Sequence, residues 1–373
     1  MNAPRLNLLG LDRAGLERYL AGLGEKPYRA RILLRWIHKR AATGFDDMTD
    51  LSKPLRTRLA DKAEIRPPEV VERGNAADGV TKWVVAVAGG NAVETVLIPD
   101  RGRHTLCISS QVGCALDCAF CATGKQGFGG NLATHEIAGQ VWLAARELAR
   151  RGDERGLTNV VFMGMGEPLL NFDACVTVAN LLMDDFAYGL SKRRVTISTA
   201  GVVPNILKLA ERTDCALAVS LHAADDALRD RLVPLNRRYP LAELMDACRS
   251  YLSRVGERRS VTFEYALMKD VNDSLAHAAA LARLLRPLRC KINLIPFNPF
   301  PHAPFERSEP NTVTAFQTYL LNAGYTATLR ATRGDEIDAA CGQLTGAVRD
   351  RTNRRARYIA RLRQDSIREG LAP

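Results

Sequence analysis

From residue 103 onward the chain alternates short apolar runs with amphipathic stretches, and no other feature restricts its fold so strongly. HTLCIS, LTNVVFMGM, RRVTIST, CALAVSLHA, SVTFEYALM and CKINLIPF each read as a strand followed by a loop and a helical pattern. Runs that are apolar on both faces belong to a parallel sheet covered by helices. The periodicity predicts helices near 134–151, 173–187 and 202–212. Six βα units make most of a barrel, short of the eight of the closed form, and YTATLRATRG supplies an extra strand. The expected fold class is therefore α/β, a partial (βα)6 barrel. Its chemistry should collect in the loops after the C-terminal ends of the strands.

The residues ahead of the barrel read differently. DRAGLERYLAGLG, KPYRARILLRWIHKRA and MTDLSKPLRTRLADK are helical patterns, and EVVERG, VTKWVVAVA and AVETVLIP are strand-like, with a turn signal at Gly89-Gly90-Asn91. The expected division is a helical unit over 1–62, a β-rich extension over 63–102, the barrel over 103–345 and a basic C-terminal helix over 346–373.

The charge balance points to a partner. Lys and Arg total 52 against 41 for Asp and Glu, a net +11, which favours polyanions. The excess is clustered in RARILLRWIHKR (29–40) and RDRTNRRARYIARLR (349–363). Either stretch alone could be a solvated helix face. Together with the global excess they favour nucleic acid, and RNA in particular, since no DNA-reading helix-turn-helix or zinc-finger pattern is visible. No run of about 18 apolar residues and no signal-peptide core are found. The expectation is a cytoplasmic protein that does not cross a membrane, with reduced thiols.

Nine cysteines are then ligands, nucleophiles or core residues. Cys114, Cys118 and Cys121 form a C-x3-C-x2-C run just after the first barrel strand. Thiolates suit zinc or iron–sulfur centres. Structural zinc usually takes four protein ligands in C-x2-C pairs, and no second pair is evident here. Three thiolates on a [4Fe–4S] cube leave one iron free to bind a substrate or cofactor, so the run favours the cluster over zinc. In GMGEPLLN, Gly164 and Gly166 let the backbone come close to a ligand, and Glu167 can accept a hydrogen bond from an ammonium. Ser198, Ser220, Leu221, His222 and Asn298 fall at or just past other strand ends. Each of these is individually an ordinary strand-end residue. Cys175, Cys215, Cys248 and Cys290 match no motif and read as core.

The cysteine spacing, with Phe120 just before the last Cys, resembles the signature of the radical S-adenosylmethionine (SAM) superfamily, whose fold is a six-unit partial barrel. The resemblance implies a [4Fe–4S] cluster on Cys114, Cys118 and Cys121, with SAM chelated to the open iron and cleaved to a 5′-deoxyadenosyl radical. It also implies SAM contacts from Gly166, Glu167, Ser198, Ser220, Leu221, His222 and Asn298. VETVLIP, TLCISSQVGCALDC, QGFGGNL, GMGEPLLN, SLHA, NLIPFNP and RGDEIDAACGQL are similar to one subfamily, the adenine-C2 RNA methyltransferases, over almost the whole chain.

That resemblance implies methylation of C2 of adenine in 23S rRNA, in the peptidyl-transferase region, and in tRNA next to the anticodon. Two SAM molecules are used. Cys341 becomes the methyl carrier, and Cys107 the thiol that later attacks it, forming a transient disulfide and releasing the RNA. The chemistry accounts for the extra thiols, because C2 lies between two ring nitrogens and has no lone pair to attack a methyl group directly. Glu94, in VETVLIP, is implied as a proton acceptor, although a strand position of this kind also suits a solvent-facing residue. The N-terminal helices resemble an RNA-binding accessory domain. Flavodoxin or ferredoxin is the implied electron donor, and nothing demands more than a monomer. Two alternatives stay open: a sister subfamily that methylates C8 of adenosine, and a non-catalytic, zinc-containing RNA-binding protein.

Overall fold

The computed structural model describes residues 5–256 and 258–368, with side chains through residue 362. Ten strands form its main sheet: β1 (Val70–Asn75), β2 (Thr81–Val87), β3 (Asn91–Asp100), β4 (Arg103–Cys107), β5 (Asn159–Phe162), β6 (Val195–Thr199), β7 (Ala216–Ser220), β8 (Val261–Leu267), β9 (Cys290–Pro296) and β10 (Ala327–Leu329). Every strand pairs with its neighbour in this series. From β4 to β10 all pairings are parallel, whereas β1 to β4 are joined antiparallel. The six expected barrel strands are thus present, with β10 as the extra one.

The β extension is continuous with the barrel. β3 pairs antiparallel with β4, setting Val96 opposite Cys107. β2 alternates between buried and half-buried positions, as expected of a strand with one face on a core, and Trp83 and Val85 are buried on it.

Helices Thr134–Arg150, Phe172–Met183 and Val203–Arg212 follow β4, β5 and β6. The second ends four residues before the expected limit. There Asp184 leaves the helix to receive Arg13 in a two-pronged ion pair, at 2.8 and 2.7 Å. At the N-terminus, helices run over Arg13–Gly22, Arg29–Leu34 and Lys53–Lys62. Asp12 caps the first, its Oδ1 accepting from the Gly15 N–H at 2.8 Å. The second does not continue as one α-helix. Arg35–Lys39 widens into a π-turn, and the Ile37 carbonyl accepts from Trp142 Nε1 at 2.9 Å. Leu8, Leu16, Leu33 and Ile37 belong to the same buried cluster as the barrel core. This helical unit therefore shares its apolar interior with the barrel.

The helix expected over 346–373 begins only at Arg354. Residues 346–353 run as a non-helical strap whose backbone is engaged by neighbours, including Asn91 and Ala92, and residues 369–373 lie outside the described ones. Among the described residues no helix is long and apolar enough to cross a membrane.

Candidate active site

The cysteine run hangs from a two-stranded ribbon, Gln111–Gly113 against Phe128–Asn131. Gly113 adopts a φ of 69°, and a Cβ there would come within 2.1 Å of the Gly127 carbonyl oxygen, so the ribbon can close only on glycine. The Cys114 N–H donates to Gly127 O at 2.8 Å, and the Leu116 N–H points at Cys114 Sγ at 3.4 Å. All three thiols are free and half-buried. Burial raises each of them above the ordinary thiol range, and for Cys114 the proximity of Cys118 and Cys121 adds to the effect. Three mutually repelling thiolates in a dry place need a cationic centre to stay ionised, and an iron–sulfur cluster fits this donor set. Among the described residues no group of three His, Cys, Asp or Glu is arranged around a single ion. A cube differs from a single ion in this respect, since it takes each thiolate on a different iron.

The thiols open into a cavity of about 940 Å³, mouth included. Gly164, Gly166, Glu167, Ser198, Ser220 and His222 line it, as do Asn298 and Cys341. Sequence reasoning gave the glycines the task of admitting a ligand, whereas the structure shows a packing requirement. A Cβ on Gly166, whose φ is 100°, would stand 2.5 Å from Gln111 Cβ, and one on Gly164 would stand 2.8 Å from the Ile108 carbonyl. Both positions are close approaches to the exit of the first barrel strand. Glu167 is buried, with Oε1 accepting from the Leu169 N–H at 3.1 Å and Oε2 from the Ala200 N–H at 2.8 Å. Burial still outweighs those bonds and pushes its carboxyl up to about 7.

His222 is buried with a φ of 60°, its ring 4.2 Å from that of Phe120. Its Nδ1 accepts from the Ala266 N–H at 2.9 Å, and burial lowers its pKa to about 3. The ring is therefore neutral and carries its proton on Nε2, which has no hydrogen-bond partner in the protein. Leu221 does not share this wall. Its side chain is in the core, and its carbonyl accepts from Arg229 Nε at 3.1 Å. The buried Arg229 also donates to Ala200 O and Ser220 O, fixing two strand exits at once.

Asn298 faces an unexpected neighbour. Its Nδ2 donates to the Cys341 carbonyl at 3.1 Å, while its Oδ1 accepts from Arg307 and Thr332 at 3.0 and 3.1 Å. It thus anchors the Cys341 loop as well as lining the cavity. Cys341 is exposed and sits on two walls. Besides the larger cavity it lines a second, of about 670 Å³ with its open mouth included, and Cys107 lines that one too. Cys107 is buried, and burial pushes its thiol up to about 12. Arg330 lines both cavities, and its positive charge opposes the effect of burial on the Cys107 thiol.

Sequence reasoning missed Arg330 and Glu264. Glu264 lines the larger cavity, with Oε1 accepting from Asn293 at 2.9 Å and Oε2 buried without a partner. A charged residue inside the apolar run SVTFEYALM was the available signal. Glu94, by contrast, lines neither cavity. It is buried, ion-paired with Lys82 at 3.1 Å, and accepts from the Thr345 N–H at 2.8 Å. Cys175, Cys215 and Cys248 are buried in the core and Cys290 is half-buried, as their lack of a motif suggested.

Two family models match: the ribosomal RNA large subunit methyltransferase N-terminal domain over residues 6–65 and the radical SAM superfamily over 108–282. The chain is 56% identical to the dual-specificity RNA methyltransferase RlmN of Marinobacter nauticus, over 96% of this chain and 97% of the relative. It is 53% identical to the RlmN of Pseudomonas fluorescens, over 95% and 94%. A crystal structure of a radical SAM methyltransferase from Sphaerobacter thermophilus superposes with a TM-score of 0.84 at 46% identity, covering 91% of this chain and 99% of that one. These matches set aside the zinc-protein alternative. On this agreement the chain belongs to the RlmN family of radical SAM RNA methyltransferases, which work with a [4Fe–4S] cluster and S-adenosylmethionine.

Proposed function

We propose that the protein methylates C2 of adenine in 23S rRNA and tRNA through a methyl group carried on Cys341. The observation that carries this reading is the double exposure of Cys341, on a wall of the cavity above the cysteine run and on a wall of the one that holds Cys107. A carrier must visit both a methyl donor and a second thiol, and this position adjoins both.

Cys114, Cys118 and Cys121 would hold the cluster. Gly166, Glu167, Ser198, Ser220, His222 and Asn298 would orient SAM beside it, with the Glu167 carboxylate accepting from its ammonium. In the first half of the reaction the Cys341 thiolate takes the methyl group of one SAM, its sulfur lone pair displacing S-adenosylhomocysteine. When bound, the cluster supplies the electron that cleaves a second SAM, so that one hydrogen is removed from the S-methyl group. The activated carbon on Cys341 bonds to C2, and the RNA is then held covalently by this residue. After the C2 proton has passed to a base and one electron to the one-electron redox chain that supplied the first, the Cys107 thiolate attacks Cys341 Sγ. A disulfide forms, the sulfur–carbon pair passes to the departing carbon, and a proton completes the methyl group. Arg330 stands where it can stabilise each thiolate in turn. In this reading Glu94 holds the Cys341 loop through Thr345, and any proton transfer to it requires that loop to move.

The basic segments supply the RNA grip. Arg31 and Arg35 lie 5.2 and 4.9 Å from the Phe186 ring centre, and Arg40 lies 4.1 Å from that of Trp36, so these guanidinium groups are already oriented. An external reductant of flavodoxin or ferredoxin type and a monomeric, cytoplasmic enzyme complete the proposal. The test is an anaerobic reaction of the reconstituted protein with SAM, reductant and unmodified 23S RNA fragment, read by nucleoside mass spectrometry. The expected product is 2-methyladenosine, lost in Cys341→Ala. Formation of 8-methyladenosine would overturn the regiochemistry, and absence of both methylated bases together with 5′-deoxyadenosine would overturn the reaction.

A further inference from the structure

Arg354, the first residue of the C-terminal helix, directs its guanidinium at one loop. Its Nη1 donates to the carbonyls of Cys114 and Leu116, each at 2.9 Å, and of Gly124 at 3.2 Å, and its Nη2 donates to the Ala115 carbonyl at 3.1 Å. Three of the four acceptors fall within the cysteine run, and the fourth, Gly124, lies on the short helix Ala122–Lys125 that follows it directly. Three successive carbonyls, at 114, 115 and 116, converge on this one group. Their dipoles repel one another in that arrangement, and a cation at the point of convergence offsets the repulsion.

The peptide planes that send carbonyls to Arg354 also set the direction of their N–H groups. Leu116 N–H points at Cys114 Sγ, at 3.4 Å. Arg354 is itself delivered by a fixed helix start. Asp350 accepts from the N–H groups of Thr352 and Arg355 at 2.7 and 2.9 Å, and from the Phe128 N–H on the ribbon at 3.2 Å. The neighbouring Arg357 is exposed and donates to Thr352 O at 3.2 Å.

We propose that Arg354 is a positioning residue for the iron–sulfur cluster, locking the 114–116 turn so that the Leu116 amide faces the Cys114 sulfur. The proposal rests on Cys114, Cys118 and Cys121 being the ligands. Lysine replaces arginine only in part here, because one ammonium has three donors on a single nitrogen and no planar fork. The consequence is kinetic retention of the cluster and a higher reduction potential, since an N–H aimed at sulfur and a nearby cation both favour the more reduced state.

The experiment compares reconstituted wild type, Arg354→Ala, Arg354→Lys and Arg357→Ala. It follows iron and sulfide per chain, the rate at which a chelator bleaches the visible absorption, and the potential from an anaerobic redox titration. Bleaching about tenfold to a hundredfold faster in Arg354→Ala is expected, the usual range for a partner behind a metal ligand. An intermediate rate is expected in Arg354→Lys, lower potentials in both, and wild-type behaviour in Arg357→Ala. If Arg354→Ala is insoluble, Arg354→Lys decides alone. Wild-type bleaching and potential in Arg354→Lys would overturn the proposal, as would equal loss in Arg357→Ala. Full cluster retention in Cys118→Ala, measured alongside, would instead overturn the ligand assignment beneath it.

Discussion

The N–H of Ala122, one residue past the last clustered cysteine, donates at 2.8 Å to the carbonyl of Gly342, one residue past Cys341. The loop read as the cluster site and the loop read as the methyl carrier are therefore joined backbone to backbone. Thr123 Oγ1 to Leu344 O at 2.6 Å, and Gln126 exchanging two bonds with Gly346 at 3.0 and 3.2 Å, extend the seam. On the proposed reading, a carrier held this way would stay beside its methyl source without a large movement of the fold.

If Cys107 is the resolving thiol, Cys107→Ala should still take a methyl group onto Cys341 and still bond to RNA, then stall. A protein–RNA conjugate resistant to denaturation should accumulate to about one per chain, visible as a shifted band with labelled RNA. Turnover in Cys107→Ala at the wild-type rate would contradict the assignment.

Arg330 should matter most to the second thiol. Burial holds Cys107 at about 12, and Arg330 is the cation that works against that shift. Arg330→Met should push the thiol higher, cutting the thiolate fraction about tenfold for each pKa unit. Single-turnover release of methylated RNA should slow accordingly and recover as pH rises. A pH-independent loss of the same size would point to packing instead.

Glu94 and Lys82 form a largely buried ion pair, and removing one partner of such a pair costs about 3–5 kcal/mol. Lys82→Met and Glu94→Gln should both lower the melting temperature and both reduce RNA turnover, because each loosens the hold on Thr345. A residue that chiefly accepts a proton would give a different pattern, with Glu94→Gln inactive and Lys82→Met close to wild type in turnover.

Gly166→Ala should weaken SAM binding about tenfold or more, an effect of about 1.4 kcal/mol or larger. Its φ of 100° and the 2.5 Å approach to Gln111 leave no room for a methyl group. Gly189→Ala makes the comparison, having a positive φ of 64° but no neighbour nearer than 3.9 Å. Equilibrium dialysis with SAM should separate the two, and equal affinities would show that the 164–167 loop is not part of the SAM site.

Acid should destabilise the fold through two histidines. His38 and His222 are both held near 3 by burial, below the ordinary 6.5. The unfolded chain therefore takes up protons, as pH falls from about 6.5 toward 3, that the folded chain does not bind. Their contribution is full above pH 6.5 and is lost below it, at about 1.4 kcal/mol per pH unit for each proton. Raised carboxyls such as Glu167 act in the opposite sense, so the comparison is with His38→Gln. Between pH 6.5 and 4, wild type should lose stability relative to His38→Gln at that slope in urea unfolding. Parallel curves would mean that His38 does not titrate on unfolding.

Much of the architecture was legible because it depends on local pattern. Apolar strand runs and intervening helical periodicity gave the parallel units from β4 to β9, and C-x3-C-x2-C marked a thiolate loop beside the first of them. Residue type also determined what each side chain could do, with thiols to ligate and transfer, a carboxyl to accept and glycines to permit close approach. Tertiary structure decided which groups meet, since distance along the chain carries no information about distance in space. Cys107 and Cys341 are 234 residues apart and share a cavity, whereas Glu94, read as a proton acceptor, was turned toward Lys82 and Thr345. Arg330 and Arg354 stand among many arginines in a basic sequence, and only the closure of the barrel and the path of the strap distinguish them. The first is set beside two thiols, the second against four converging carbonyls.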